Sequence, residues 1–201
     1  MLLLSRASGD NFLLFIAILL PTLLGGCGFT VTPPPSPANP VPLFLLDHGR
    51  HASLVLPADE GMVRYSYGDW EWYAMSRTGA IEGSRALVGP NPAALSRKVL
   101  SVSPTEQVLR QALPMVIEHA FLIPVEAKNA ARLRERLENL FFENRETLHH
   151  NPAYGIDFVK HPDPYSLNHN SNTVVAGWLR ELGAEVRGSG PFSDWKILQD
   201  H

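Results

Sequence analysis

Two short stretches of this 201-residue chain hold side chains suited to acyl transfer. The first, Asp47-His48-Gly49-Arg50-His51-Ala52-Ser53-Leu54-Val55-Leu56, leads an imidazole into an apolar run. The second, Tyr165-Ser166-Leu167-Asn168-His169-Asn170-Ser171-Asn172-Thr173, leads a serine into a helix. Imidazole is the side chain that exchanges a proton near neutral pH. A hydroxyl at a helix N-terminus lies beside unpaired N–H groups and the positive end of the helix dipole, where developing negative charge is stabilised. If the two stretches meet, His51 is a base and Ser171 a nucleophile. Strand alternation places His51, Ser53 and Val55 on one face and Ala52, Leu54 and Leu56 on the other, so His51 can face a cleft. Ser171 also has a plain reading, because Ser and Asn are preferred helix N-caps with no chemical duty.

Other residues carry less. Trp70, Glu71, Trp72 and Tyr73 follow Asp69 as an aromatic cluster that either walls a groove for a peptide, glycan or acyl chain or packs into the core. His149, His150, His161 and His169 are scattered, without metalloprotease spacing or a cysteine partner, so no metal and no other cofactor is expected. The sequence contains no G-x-S-x-G elbow, Walker loop or dinucleotide fingerprint, which removes the usual routes to lipase, nucleotide and NAD chemistry.

The order of the motifs adds a resemblance. A strand histidine in His51-Ala52-Ser53-Leu54, then Tyr67-Gly68-Asp69-Trp70, then Tyr165-x-Leu167-x-x-x-x-Asn172-Thr173 opening a helix, is similar to the circularly permuted branch of the papain-like NlpC-type peptidase and acyltransferase superfamily. Lecithin retinol acyltransferase belongs to that branch. A nearer likeness is to a bacterial lipoprotein group that reads Gly-Trp-His before the strand and Thr-Cys-Asn-Thr at the helix start. The resemblance covers about residues 43 to 75 and 154 to 183. It implies a papain-like architecture with His51 as base, Asp69 as its polar orienter, Glu71 behind it, and Ser171 in the nucleophile's place. Ser53, Trp70, Trp72, Tyr165 and Asn172 become candidate groove residues beside Glu71.

The sequence departs from that pattern at the reacting atom, where serine replaces cysteine. A thiol, with a free pKa near about 8.5, ionises beside a histidinium and a helix dipole; a hydroxyl does not. The reading placed first is therefore a catalytically impaired descendant that binds a cell-wall peptide or lipid in the His51–Ser171 cleft. The alternative is an active hydrolase or acyltransferase on an amide or ester, with His51 removing the Ser171 proton and Asp69 holding the tautomer.

Short strands and a few helices must position these groups. Leu43–Asp47, Ala52–Leu56 and Met62–Tyr67 read as neighbouring strands. Ser103-Pro104-Thr105-Glu106 reads as N-cap, first-turn proline and capping glutamate of a helix reaching about Leu113, with a strand from Met115 to Ile123 after it. Glu126 to about Thr147 is the clearest helix, with Leu133, Leu137, Leu140 and Phe141 at helical spacing, and Asn172–Leu182 is a second. Residues 151–157 read as a turn-rich loop, and 184–187 and 195–198 as closing strands. Strands and helices without regular alternation predict an α+β domain with a small antiparallel sheet packed against helices.

The N-terminal region sets the compartment. Residues 12–20, FLLFIAILL, are too short to span a bilayer and fit the apolar core of a signal peptide over 1–26. Leu24-Gly25-Gly26-Cys27 resembles a lipobox, which implies cleavage before Cys27 and anchoring through lipid on that cysteine. Gly28 stands where an inner-membrane retention signal has Asp, which favours the outer membrane, facing the periplasm. Pro33 to Pro42 is proline-dense and reads, with Cys27, as a semi-rigid tether over 27–42, leaving one domain over 43–201. Cys27 is the single cysteine, so no internal disulfide forms. Seventeen basic against twenty acidic residues give a net charge of −3 and no basic field for nucleic acid. A third reading, a structural lipoprotein acting through protein partners, draws on the anchor and tether alone.

Overall fold

The structure, a computed structural model, describes residues 28–79, 90–101 and 105–198. The expected signal peptide and Cys27 lie outside the described residues. The strands are β1 (Phe29–Thr32), β2 (Pro40–Asp47), β3 (Ala52–Pro57), β4 (Met62–Asp69), β5 (Asn91–Leu100), β6 (His119–Glu126), β7 (His149–Asn151), β8 (Ile156–Tyr165), β9 (Glu185–Gly188) and β10 (Trp195–Ile197). The helices are α1 (Glu106–Ala112), α2 (Ala127–Glu143) and α3 (Ser171–Glu181), with a π-helical turn over Trp70–Ala74. Seven strands form one antiparallel sheet in the order β6-β2-β3-β4-β5-β8-β7, and β1 lies between β10 and β9 in a second sheet of three. The α+β class expected from the sequence is what the chain adopts.

The large sheet is covered on both sides, which is why β2 and β3 read as apolar runs rather than as alternating strands. On one side, here the helical face, Leu43, Leu45, Ala52, Leu54, Tyr65 and Tyr67 pack with Leu133 and Leu137 of α2 and Val175 and Leu179 of α3. On the other, the far face, Phe44, Leu46, Val55 and Met62 pack under Leu109 of α1 and under Leu113 and Ile117. Further along that face Ala94, Ile156 and Phe158 pack under Trp70 and Ala74 of the π turn. Each fully buried aliphatic side chain contributes roughly 1.5–3 kcal/mol. Helix α2 is also fixed by chemistry: Glu138 accepts from the Tyr65 hydroxyl and, at 2.8 Å, from Arg97 Nε.

Several expectations need correction. The segment read as a free tether is part of the folded body. Phe29 and Val31 are buried, and the Phe29 ring stacks on Trp195 at 4.4 Å. The proline run is held as well, since the Ala38 and Asn39 N–H groups donate to the Glu126 carboxylate at 2.8 and 3.2 Å. Pro40 and Pro42 enter β2 because that end of the strand pairs only with β6, β3 joining at Phe44, so a missing N–H there costs no ladder bond. The folded body thus takes in residues 29–42, which the expectation of a domain over 43–201 left outside.

Helix α1 is capped by Thr105, whose Oγ1 accepts from Val108 N–H at 3.4 Å; the expected cap, Ser103, lies outside the described residues, as do 102 and 104. The strand expected from Met115 starts at His119, because 113–118 folds over the far face and buries Leu113 and Ile117. Helix α2 stops at Glu143 and a 3-10 turn, Arg145–Thr147, takes over. The loop expected over 151–157 shrinks to the turn between β7 and β8, so Asp157 and Phe158 are strand residues. In β8 the prolines 162 and 164 fall where the pairing with β5 shifts register, the place a strand tolerates them. Among the described residues no helix is long and apolar enough to cross a membrane.

Candidate ligand site

Between its two covers the far face leaves a cavity of about 270 Å³. The sheet supplies Arg64 and Ser66 of β4, with His48 and His51 from the turn before β3; the π turn supplies Trp72 and Tyr73; Met115, Ile156 and Phe158 close it. Alternation along β4 explains the polar floor: Val63, Tyr65 and Tyr67 belong to the helical face, which turns Arg64 and Ser66 the other way. Gly68 lets the Tyr73 ring lie flat on β4, because a Cβ there would sit 2.5 Å from Tyr73 Cδ2. Asn151 clamps the π turn, its Nδ2 donating to the carbonyls of Tyr73 and Ala74, each at 3.0 Å.

A chain of hydrogen bonds with one consistent set of proton positions fixes the floor. His48 Nδ1 lies 2.7 Å from the Val116 carbonyl, which can only accept, so Nδ1 carries the proton. Nε2 is then the acceptor for the Ser53 hydroxyl at 3.0 Å. Ser53 Oγ in turn accepts from Arg64 Nε at 3.0 Å. Burial, and secondarily the Arg64 charge, pull the His48 imidazole down to about 4, which keeps it neutral as the chain requires. Burial lowers the Arg64 guanidinium to about 10, so it stays charged at neutral pH. Arg64 is 2% exposed, and no carboxylate among the described residues lies within ion-pair distance of it.

His51 sits against this floor, its ring 4.7 Å from Tyr73 and 5.8 Å from His48. Its Nδ1 is buried without a hydrogen-bond partner. Burial, then His48 and Arg64, hold its pKa well below the ordinary value, so it too is neutral.

The other expected partners are elsewhere. Asp69 caps the π turn, accepting from Trp72 N–H at 2.9 Å, and burial raises its carboxyl pKa; the bond expected to His51 Nδ1 is not made. Ser171 is the first residue of α3, a helix that packs on the helical face, and is buried, while His51 lines the far-face cavity; no hydrogen bond joins the two among the described residues. Ser171 is not the helix cap either. Asn170 takes that role, accepting from Asn172 and Thr173 N–H at 2.9 and 3.1 Å while its own N–H donates to Thr173 Oγ1 at 2.9 Å.

Of the groove candidates, Trp72 lines the cavity and Ser53 lies fully buried beneath it. Trp70 is core, and Glu71 points outward to Arg77 at 2.5 Å. Tyr165 is half-buried beside Tyr67 on the helical face, their rings 6.0 Å apart. Asn172 is fully buried and donates to the Pro191 carbonyl at 3.1 Å. Tyr73, from the same aromatic cluster as Trp72, lines the cavity as well, whereas Arg64 was not singled out from the sequence. The signal for Arg64 is a lone cation in the alternating run Met62-Val63-Arg64-Tyr65-Ser66-Tyr67, on the face that pairing with β3 shares with Ser53. No protein-family model matches the chain, and no curated protein or solved structure matches it either.

Proposed function

We propose that this protein is a cell-envelope lipoprotein, cleaved before Cys27 and anchored through that cysteine's lipid, whose domain of permuted papain-like descent binds a ligand without turning it over. The observation that supports binding over turnover is that no hydrogen bond joins Ser171 to His51: the imidazole lines the far-face cavity with its Nδ1 unpartnered, while the helix that begins at Ser171 packs on the helical face. A hydroxyl needs a base within hydrogen-bond reach to become a nucleophile. The ligand then belongs in the far-face cavity with His51 rather than in a cleft shared with Ser171, and a cell-wall peptide or a lipid remains the class this compartment offers.

The test is covalent labelling of the full chain, purified in detergent, with a fluorophosphonate probe. No labelling is expected. Labelling that disappears in Ser171→Ala would overturn the reading in favour of a serine hydrolase or acyltransferase. Mass spectrometry of the mature N-terminus is expected to find an acylated Cys27; a retained, unmodified leader would remove the anchor.

A further inference from the structure

Resting on that binding reading, we propose that the far-face cavity is a carboxylate site: a small organic acid sets its carboxylate against Arg64 and its apolar body against Ile156 and Phe158. Arg64 carries a full charge out of water with no counter-ion among the described residues, an arrangement that persists only where something offsets it. Its Nε is committed to Ser53, whose hydroxyl is committed to His48, whose other nitrogen is committed to the Val116 carbonyl. The guanidinium is therefore held in one orientation, and the rest of its planar fork is left to the cavity. That fork matches a carboxylate in two parallel hydrogen bonds.

A second polar group points the same way. His51 lines the same cavity with its Nδ1 buried and unpartnered, a state that a turn of the ring towards a ligand atom relieves. Among the described residues no acidic side chain lines the cavity, and exposed Arg50 adds positive charge at its rim, which attracts anions. A single negative charge fits better than a phosphate dianion, because both histidines are neutral and Arg64 is the one buried cation there among the described residues. The volume of about 270 Å³ falls just below the usual range of ligand pockets, roughly 300–1,000 Å³, which limits the body to about one ring or a short branched chain.

The experiment is thermal unfolding of the full chain in detergent, with phenylacetate, phenylacetamide and inorganic phosphate each titrated into the millimolar range. Phenylacetate at ten times its dissociation constant should raise the midpoint by about 4 °C, with no shift from the amide or from phosphate. The shift should vanish in Arg64→Met. Equal shifts from acid and amide, no shift from the acid, or a shift from phosphate alone would overturn the proposal. Should Arg64→Met fail to fold, the wild-type imidazole resonances decide: those of His48 and His51 must move with phenylacetate and stay put with phenylacetamide. Labelling of Ser171 by the fluorophosphonate would defeat the non-catalytic reading and leave this acid–amide difference standing, so the two can fail separately.

Discussion

Arg64 stands directly opposite Val55 in the β3–β4 ladder, and its Nε reaches Ser53, two residues away on β3, at 3.0 Å. The cation is thus braced by the sheet that buries it, without an opposing charge. An ion in that position is retained against stability, since replacing a buried ion by an apolar side chain of similar size is often neutral or favourable. Arg64→Met is therefore expected to raise unfolding free energy by about 1 kcal/mol in urea titrations of the ligand-free protein. A loss of similar size would mean that the Ser53 bond outweighs the desolvation of the charge.

Acid should weaken the fold before carboxylates dominate. In the unfolded chain His48 takes a proton near 6.5, and in the folded protein only near 4. Between these values the unfolded state binds more protons, so stability is full above pH 6.5 and falls as the pH drops towards 4, by about 3 kcal/mol for this residue. His51 and His161, also lowered by burial, add in the same direction. Asp69, raised by burial, works against them, because its protonated form is favoured in the folded state. Urea midpoints from pH 7 to 4 should show the fall, and His48→Gln should flatten it.

Asn151 is expected to be worth more than its exposed neighbours. It is 3% exposed, and its amide holds Tyr73 and Ala74 while its Oδ1 accepts from Ala153 N–H at 3.0 Å. Asn151→Ala leaves buried carbonyls unpaired and should cost about 2 kcal/mol. Because the same bonds hold the cavity's aromatic wall, Trp72 fluorescence should shift in this variant before global unfolding, whereas a purely local effect on β7 would leave it unchanged.

The start of α3 separates two roles that the sequence merges. Asn170→Ala removes both capping bonds and should cost about 1 kcal/mol, while Ser171→Ala, which removes neither, should stay within about 0.5 kcal/mol. Chemical denaturation of the two variants checks this, and the reverse order would restore Ser171 as the cap.

Legibility followed the period of the pattern. Leu133, Leu137 and Phe141 announce α2, and Val175 and Leu179 announce α3, because one buried stripe recurs at helical spacing. The pairs at β2, β3 and β4 are equally plain. What stayed hidden was the partner of each surface. Strand residues alternate, so the sequence assigns His51 to the face of Ser53, yet nothing in it says that α3 packs on the opposite one. The decision lies in which apolar side chains meet across the sheet, and both faces of β3 are apolar enough to accept a helix. Phe29 and Val31 were missed for a related reason: a four-residue strand running straight into prolines acquires its identity only from Trp195 and Val186, more than 150 positions away. Asp69 illustrates the last kind of miss, since its use as a cap depends on the π turn.

The position of β1 decides how such a molecule would stand. Phe29 follows Cys27 by two residues, a reach of roughly 7 Å even when fully stretched, and its side chain is locked in the core on the helical face. Acyl chains at Cys27 would therefore leave no slack: the body would rest on the lipid headgroups at the end where Phe29 N–H donates to the Asp194 carbonyl at 2.7 Å. Ser193, the neighbour of Asp194, donates to Asp47 Oδ1 at 2.5 Å, and the same oxygen accepts from Gly49 N–H at 2.8 Å, so the mouth beside Arg50 would open at the anchored end of the body, within reach of the headgroup layer.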